Sequence, residues 1–249
     1  QAIRFLLNHR PRNFHLVIAT RADPPLPLSK YRAKSEIIEL RLADLRFSER
    51  EAEEFLNQVI GMTFSPDDIA MLYDKTEGWA AGLLMAGLSL QTRKDPSKYI
   101  LSFFGEDRYI MDFLFDEIFS GQSEEIQNFL LQTSILERLC GSLCNAVTAH
   151  DNSQFILETL ERNNQFLIPL DDRHEWYRYH HLFRDLLINR ANQLIAGDIT
   201  QLHSRAGSWF SDHSLLERAI EHFLLAQGFE NVAAIIEQNI QNFDLQNQQ

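Results

Sequence analysis

The chain has 249 residues, 45% of them hydrophobic, which is enough to bury more than one core. Its formal net charge of −12 argues against a nucleic-acid or membrane surface along the whole chain, and two cysteines exclude a disulfide framework. No apolar run approaches the length of a membrane span and no signal peptide is recognisable, so we expect a cytoplasmic protein.

The first 43 residues predict one helix and two short strands. Residues 1–8 have helical apolar spacing but no cap, so we expect a helix entered partway and a sequence that is a piece of a longer protein. The apolar runs 14–21 and 37–42 are typical of buried parallel strands. Arg21 ends the first run, where open α/β sheets bind ligands, and is either a phosphate contact or a solvated strand end. Residues 1–43 therefore indicate the last part of a nucleotide-binding α/β domain.

Residues 44–120 predict a small helical bundle. Two helix starts carry clear capping signals: a serine with glutamate three residues later, and a serine followed by proline. A third segment is apolar almost all round and should be buried. The predicted helices begin at Ser48 and Ser65 and span 79–90 and 109–119.

Residues 121–196 predict a winged-helix domain, because three helices are followed by two strands joined by a polar turn. The predicted strands span 166–170 and 176–180. Winged helices often bind DNA, but residues 122–195 carry 10 acidic and 6 basic side chains, a net charge of −4. A domain that reads a DNA groove needs a basic surface, so we expect this one to pack against protein instead.

The second of these strands leads into a pair of histidines. Alternation places Tyr177 and Tyr179 on one face of the strand and Arg178 on the other. The strand delivers His180 and His181 to the start of a helix, where unpaired backbone N–H groups favour phosphate. The pair is therefore either a phosphate contact or a pair of partly buried core histidines.

Residues 197–249 predict three amphipathic helices, at 202–213, 215–226 and 231–242. They are either the start of a helical-repeat sensor region, similar to tetratricopeptide repeats, or a packed helical cap. Only 10 glycines and 7 prolines occur, which favours helices over a sandwich or barrel. The predicted fold is mainly α: an α/β sheet remnant, a helical bundle, a winged helix and the start of a repeat array.

Several common catalytic and metal-binding motifs do not occur in the sequence. There is no G-x-x-x-x-G-K-[ST] loop to hold nucleotide phosphates, no G-x-S-x-G nucleophile turn and no H-E-x-x-H metal helix. Histidines such as His203, His213 and His222 lie singly beside acids, so we expect no metal site. Cys140 and Cys144 are interpreted as small core residues.

A set of sequence motifs, taken in order, resembles one known family. The motifs are IATRADPPLPL from residue 18, ELR from residue 39, DLRF from residue 44, TEGWAAGL from residue 76, FLLQTSIL from residue 129 and YRYHHLF from residue 177. Together they resemble the MalT-like, large LuxR-type ATP-dependent transcriptional regulators, which belong to the STAND class of signalling NTPases. Members contain a P-loop ATPase domain, a helical domain, a winged helix, a repeat sensor and a C-terminal helix-turn-helix. This chain resembles the middle part, from the end of the P-loop sheet to the first sensor helices.

The resemblance implies nucleotide contacts for six residues. Arg21 matches the sensor arginine that reads the nucleotide's phosphates. By position, His180 matches a histidine that contacts the β-phosphate of bound ADP and holds the resting state closed. His181 stands where relatives often have aspartate, so either histidine is a candidate contact. The stretch that lies against the adenine side supplies the remaining candidates, Gly78, Trp79 and Gly82.

The function that the resemblance implies is a regulatory module of an ATP-dependent transcriptional activator. In the intact protein, ADP would hold the domains closed, and ATP with a small-molecule or protein inducer would open them for self-assembly. DNA would bind through a C-terminal helix-turn-helix outside this sequence, and no membrane is involved. Because the P-loop is missing, we expect the chain alone neither to hydrolyse ATP nor to bind ATP or ADP tightly. The alternative is a protein–protein interaction scaffold with no nucleotide role.

Overall fold

A computed structural model describes residues 2–9, 11, 13–20, 23–61, 64–91, 100 and 108–246, and it confirms the predicted mainly α fold. The helices are α1 (Ala2–Asn8), α2 (Leu28–Ala33), α3 (Glu49–Phe55), α4 (Pro66–Thr76), α5 (Ala80–Gln91), α6 (Arg108–Leu114), α7 (Glu124–Thr133), α8 (Gly141–Thr148), α9 (Ser153–Arg162), α10 (His181–Leu194), α11 (Ile199–Asp212), α12 (Leu216–Leu225) and α13 (Phe229–Gln246). The strands are β1 (Leu167–Pro169) and β2 (Tyr177–Tyr179). A 3₁₀ turn covers Leu42–Leu45, and single π-helical turns extend α3 over Leu56–Ile60 and α6 over Phe115–Phe119.

The two strands predicted within residues 1–43 are wrong for the part of the chain that the structure describes. Neither 13–20 nor 35–41 forms a strand. A strand needs a neighbouring strand to pair its backbone groups, and the sheet in the described residues consists of β1 and β2 alone. Most of the apolar side chains of both runs are exposed instead, and Val17 and Ile38 are each 91% exposed. The interpretation of this region as an α/β remnant therefore rests on the sequence.

Helix α2 is an element that the sequence did not predict, because the prolines before it indicate a break. Pro27 instead occupies the N-cap position, where a missing N–H removes no hydrogen bond within the helix. The helix buries Tyr31. Arg32 at its end pairs with Glu39, and Glu39 also pairs with Arg41, so α2 is joined to the segment that follows it.

Helices α3 to α6 form the predicted bundle, and both predicted capping signals are confirmed. The Ser48 side chain accepts a hydrogen bond from the Glu51 N–H, and the Glu51 carboxylate accepts one from the Ser48 N–H. Ser65 and Asp68 make the same reciprocal pair at the start of α4. The bundle core contains the fully buried side chains Leu56, Leu72, Leu83, Leu90, Ile110 and Leu114.

The winged-helix region runs from α7 to α10, and its predicted hairpin is confirmed. The strands are antiparallel, with Leu167 opposite Tyr179. Tyr177 and Tyr179 are buried while Arg178 is half-buried, as the alternation predicted. The Tyr179 hydroxyl lies 2.7 Å from Thr133 Oγ1, so a buried hydrogen bond joins β2 to α7. This hairpin delivers the two predicted histidines to the first turn of α10.

Helices α11, α12 and α13 correspond to the three predicted amphipathic helices. Gly207 permits α11 to approach α12 closely, since a Cβ there would lie 2.8 Å from the Phe223 ring. The expectation that histidines lie singly here is wrong, because His203 Nδ1 and His222 Nδ1 are 2.9 Å apart and both side chains are buried. Two residues 19 positions apart meet because the two helices pack side by side. Burial lowers the pKa of both rings, that of His222 to about 4.

Three further points concern the described residues as a whole. No set of three His, Cys, Asp or Glu side chains among them is arranged to hold a metal ion. No helix in these ranges combines the length and the apolar character that crossing a membrane requires. The domain boundaries after residues 43, 120 and 196 stay predictions.

Candidate functional site

Five of the six predicted site residues lie together where the helical bundle meets the winged helix. Gly78, Trp79 and Gly82 come from the turn between α4 and α5 and from the first turn of α5. His180 and His181 come from the end of β2 and the start of α10, about a hundred residues later in the chain. Their meeting place is therefore an interface between the two regions. The sixth residue, Arg21, lies outside the described residues.

His180 is the buried centre of this interface. Its side chain is 1% exposed, and its Nε2 lies 3.0 Å from the Thr76 carbonyl oxygen at the end of α4. A carbonyl only accepts, so Nε2 carries the proton and Nδ1 presents a lone pair. Nδ1 is buried and has no hydrogen-bond partner among the described residues. The rings of Trp79 and Phe166 stand edge-on to the imidazole, with centroids 6.2 and 5.3 Å away.

The surroundings of His180 keep it uncharged at neutral pH. Burial is the main reason, since it lowers the pKa of His180 to about 4 despite the nearby Glu77 carboxylate, which acts in the opposite direction. A neutral imidazole donates from one nitrogen and accepts at the other. The expectation of a buried histidine is confirmed for His180, and its contact with phosphate stays a prediction.

Glycine at two positions allows close approach at this interface, within the bundle at Gly78 and between the two regions at Gly82. Gly78 has φ of +70°, and a Cβ there would lie 2.2 Å from the Phe47 carbonyl oxygen. The Phe47 N–H donates to the Gly78 carbonyl at 2.9 Å, so this turn is joined to the segment before α3. At Gly82 a Cβ would lie 2.6 Å from the Trp79 ring and 3.3 Å from Leu182 of α10. The close backbone approach predicted for this stretch is therefore present.

Glu77 is the site residue that the sequence reasoning missed. Its side chain is 8% exposed and its carboxylate receives two hydrogen bonds from Arg178, at 2.7 and 2.8 Å, and one from Arg46, at 3.1 Å. The backbone N–H of His181 also donates to it, at 3.0 Å. The residue itself has a left-handed backbone, with φ of +49° where α4 ends. The sequence did contain a signal for this residue. Glu77 is an acid directly before a glycine at a helix end, and Arg178 alternates with tyrosines just before the histidines.

The electrostatics of Glu77 favour the charged form. Burial alone would raise its pKa, but the Arg178 hydrogen bonds, the neighbouring His180 and the His181 N–H together lower the pKa to about 2. Glu77 is thus an anion at neutral pH, and the buried charge is matched by two guanidinium groups.

His181 is the more exposed histidine, with 44% of its side chain accessible. Its Nδ1 lies 3.2 Å from the Asp74 carbonyl oxygen, at the last turn of α4. The backbone N–H at the start of α10, which the sequence offered as a phosphate contact, already donates to Glu77. An anion does therefore occupy this helix start, and it belongs to the chain itself.

An open cleft of about 700 Å³ lies elsewhere and contains none of the predicted site residues. It runs between α9, the hairpin turn and α11, beside Trp176 and Trp209. Several of its polar side chains already pair with one another, including Glu158 with Arg162 and Glu161 with His174. The cleft is therefore separate from the interface around His180.

Comparison with known proteins identifies the region on one side of this interface. Residues 115–199 match the family described as the MalT winged helix domain. The chain is MalT-like. Its resemblance to MalT-like regulators, expected from the sequence motifs, is thereby confirmed. The matched residues include β2, His180 and His181, whereas Glu77 and Gly78 lie outside them.

Relatives of the MalT-like chain carry two kinds of name. This chain is 31% identical over 241 residues to the serine/threonine-protein kinase PknK of Mycobacterium tuberculosis, and the match covers 97% of this chain and 22% of that protein. It is 31% identical over 227 residues to the HTH-type transcriptional regulator MalT of Klebsiella pneumoniae, covering 90% of this chain and 25% of that protein. The MalT of Yersinia enterocolitica is 31% identical over 228 residues. The chain thus spans about a quarter of the length of the curated relatives it matches.

Proposed function

We propose that this MalT-like chain is the regulatory module of an ATP-dependent transcriptional regulator. In this proposal, nucleotide state decides whether the winged helix stays docked on the helical bundle. The observation that carries it is the position of His180, which lies in the interface and donates to the Thr76 carbonyl of the bundle. A side chain placed there changes partner only when the two regions move relative to one another, so it can report a two-state arrangement.

The relatives support a role for this chain in regulating an activity rather than in performing it. One is named as a protein kinase and another as an HTH-type transcriptional regulator, yet both align with nearly the whole chain. A stretch shared by proteins with different named outputs is suited to governing an output that another part of the protein performs. The net charge of −4 over residues 122–195 agrees, because it disfavours DNA binding by the winged helix itself.

The chemistry of His180 defines how it would meet a phosphate. A phosphate oxygen accepts hydrogen bonds, and the Nε2 proton of His180 is already donated to Thr76. Phosphate contact therefore requires either release of the Thr76 carbonyl or a second proton on the orphaned Nδ1. The residues described here fit one contact of an ADP site, and they do not include a P-loop. We infer that ADP or ATP binds in the intact protein, with His180 as one of the phosphate contacts.

The proposed cycle has two arrangements. ADP favours the closed arrangement, in which the winged helix packs on the bundle, and ATP with an inducer favours an open one that self-associates. DNA would be bound by a separate helix-turn-helix of the intact regulator. A ligand shifts such an equilibrium only through a difference in affinity for the two arrangements, and contact with an interface histidine would supply one.

The test is the His180→Ala substitution in the full-length regulator. We expect inducer-independent transcription to rise several-fold and the amount of ADP that copurifies with the protein to fall. His150→Ala is the matched control, because His150 is an exposed histidine of the same region. If both quantities stayed at the level of the control, His180 would have no nucleotide role, and the interaction scaffold would be the better description.

A further inference from the structure

We propose that Glu77 is a positioning residue that clamps His180 in place from the opposite side of the interface. The inference rests on the proposed role of His180, since a positioning residue matters only if the histidine it positions does. The term Glu77 clamp denotes the carboxylate of Glu77 with its three partners, Arg46, Arg178 and the backbone N–H of His181.

The clamp contacts residues on both sides of His180 along the chain. Arg178 precedes the histidine by two residues, and its two terminal guanidinium nitrogens donate hydrogen bonds to the Glu77 carboxylate at 2.7 and 2.8 Å. The His181 N–H follows it directly and donates at 3.0 Å. One carboxylate thus holds the Arg178 side chain before His180 and the backbone N–H directly after it. The imidazole between these contacts points to the Thr76 carbonyl, one residue before Glu77, so a shift of His180 would disturb the clamp.

The clamp also joins three separate parts of the fold. Arg46 comes from the segment before α3, Glu77 from the end of α4, and Arg178 from β2. Charge-assisted and bidentate hydrogen bonds are the strongest of their kind, and here the carboxylate is almost fully shielded from water. A group buried in this way is costly to leave unpaired, so the three parts are held together or released together.

The clamp consists of this chain's own side chains and backbone. In this proposal the clamp holds the winged helix docked through the chain's own groups, and nucleotide state then decides whether that docking persists.

The experiment uses the 249-residue chain without nucleotide and compares Glu77→Gln with Glu158→Gln. Both changes remove one carboxylate charge that pairs with an arginine, but Glu158 lies on the exposed face of α9. We expect Glu77→Gln to lower the Tm by roughly 5–10 °C and Glu158→Gln to leave it within about 2 °C. The second readout is the pKa of His180 from its imidazole NMR signals, assigned by their loss in His180→Gln.

The direction of the His180 shift separates positioning from electrostatics. If Glu77 only supplies a nearby charge, removing it lowers the pKa of His180 further below about 4. If Glu77 holds the ring in its buried place, removing it exposes the ring, and the pKa rises towards that of a solvated histidine, about 6.5. A rise supports the proposal. A fall or no change overturns it.

Arg178→Lys keeps the test valid if Glu77→Gln does not fold. Lysine retains the charge but cannot make the paired guanidinium contact, so a smaller loss of Tm and a smaller rise in the His180 pKa are expected. Arg162→Lys is its control, since Arg162 pairs with Glu158 on the exposed face of α9. An unchanged His180 pKa in Arg178→Lys would also overturn the clamp. Because these measurements involve no nucleotide, failure of the clamp is distinguishable from failure of the nucleotide role of His180.

Discussion

Two glycines with nearly the same backbone conformation offer a matched test of the turn at the interface. Gly61 and Gly78 have φ of +71° and +70°, but a Cβ at Gly61 would meet nothing within 4 Å, and one at Gly78 would collide with the Phe47 carbonyl oxygen. Alanine at Gly61 therefore costs only the left-handed strain, about 1 kcal/mol. Alanine at Gly78 adds an overlap with backbone and disturbs the hydrogen bond from Phe47, for a total of about 3 kcal/mol or more.

Urea denaturation of Gly61→Ala and Gly78→Ala measures this difference directly. The expected order is a modest loss for the first variant and a loss at least twice as large for the second. Equal losses would show that the Phe47 segment moves aside at little cost, and that the close approach at Gly78 is not structurally required.

His180 also predicts how stability depends on pH. Its folded pKa of about 4 lies below the unfolded value of 6.5, so between these pH values the unfolded chain binds a proton that the folded chain does not. The stability that the neutral, buried His180 ring contributes is fully present above pH 6.5 and is lost as the pH falls towards 4. We expect a loss of about 2 kcal/mol from this residue between pH 6.5 and 4.5, measured by urea denaturation.

Comparison of two variants isolates the part that His180 contributes. His180→Gln should reduce the pH dependence in this window by that amount and leave the part that the buried His203 and His222 contribute, whereas exposed His150→Gln should leave the whole dependence unchanged. Glu77 acts in a different window, since its pKa of about 2 lies below the usual value of 4.5, and its contribution is lost only as the pH falls below 4.5. A His180→Gln profile parallel to that of the unmodified chain would contradict the assignment of a buried neutral ring.

At the scale of elements, one buried hydrogen bond between α7 and β2 predicts an asymmetric pair of mutants. Thr133 Oγ1 donates to the Phe129 carbonyl at 2.7 Å, so the Tyr179 hydroxyl is the donor in its own 2.7 Å contact with Thr133. Tyr179→Phe removes that donor and leaves Thr133 with its carbonyl partner, for a cost of about 1 kcal/mol. Thr133→Val leaves the Tyr179 hydroxyl buried without a partner, for a cost of about 2–3 kcal/mol.

Denaturant unfolding of both single mutants and of the double mutant checks this order. The double mutant should cost clearly less than the sum of the two, because the phenylalanine removes the unpaired hydroxyl that valine creates. Strictly additive effects would mean that Thr133 and Tyr179 do not interact across the two elements.

Elements defined by local chemistry were predictable from the sequence, and elements that depend on distant partners were not. The caps at Ser48 and Ser65 involve side chains three residues apart, so the sequence alone contains all the partners. The hairpin was predictable because its two strands are joined by a short polar turn. The apolar runs around Val17 and Ile38 carry the composition of strands, but no strand in the described residues pairs with them.

At the scale of the whole molecule, the exposed apolar side chains before residue 46 predict weak self-association of this chain. They include Phe5, Val17, Ile38, Leu40 and Leu45. Exposed apolar surface of this kind favours association, since burying it against a second molecule removes it from water. Sedimentation velocity over a range of concentrations should show larger species that decrease in Val17→Ser/Ile38→Ser.

Phe155→Ser is the control for that experiment. Phe155 is an exposed apolar residue of α9, and its replacement should leave the association of the chain unchanged. A chain that stays monomeric at every concentration would show that this surface has no tendency to associate.

The candidate site was only partly predictable for a reason that applies to the whole molecule. Motif resemblance located His180 and Gly78 one at a time, but a sequence does not show that they meet across an interface. Glu77 went unnoticed because its three partners come from distant parts of the chain. The contact between His203 and His222 was missed for the same reason, since it depends on the packing of two helices.

The end of α4 at Glu77 has a consequence for insertions and deletions. The helix begins at the Ser65 cap, and Glu77 follows its last residue, so the number of residues between them sets the direction in which the carboxylate points. One residue added within α4 would rotate Glu77 by about 100° around the helix axis and move it by about 1.5 Å. Changes of length should therefore be tolerated in the surface loops of this chain but not within α4. The length of this helix fixes where the winged helix docks, as much as the identity of any residue in it.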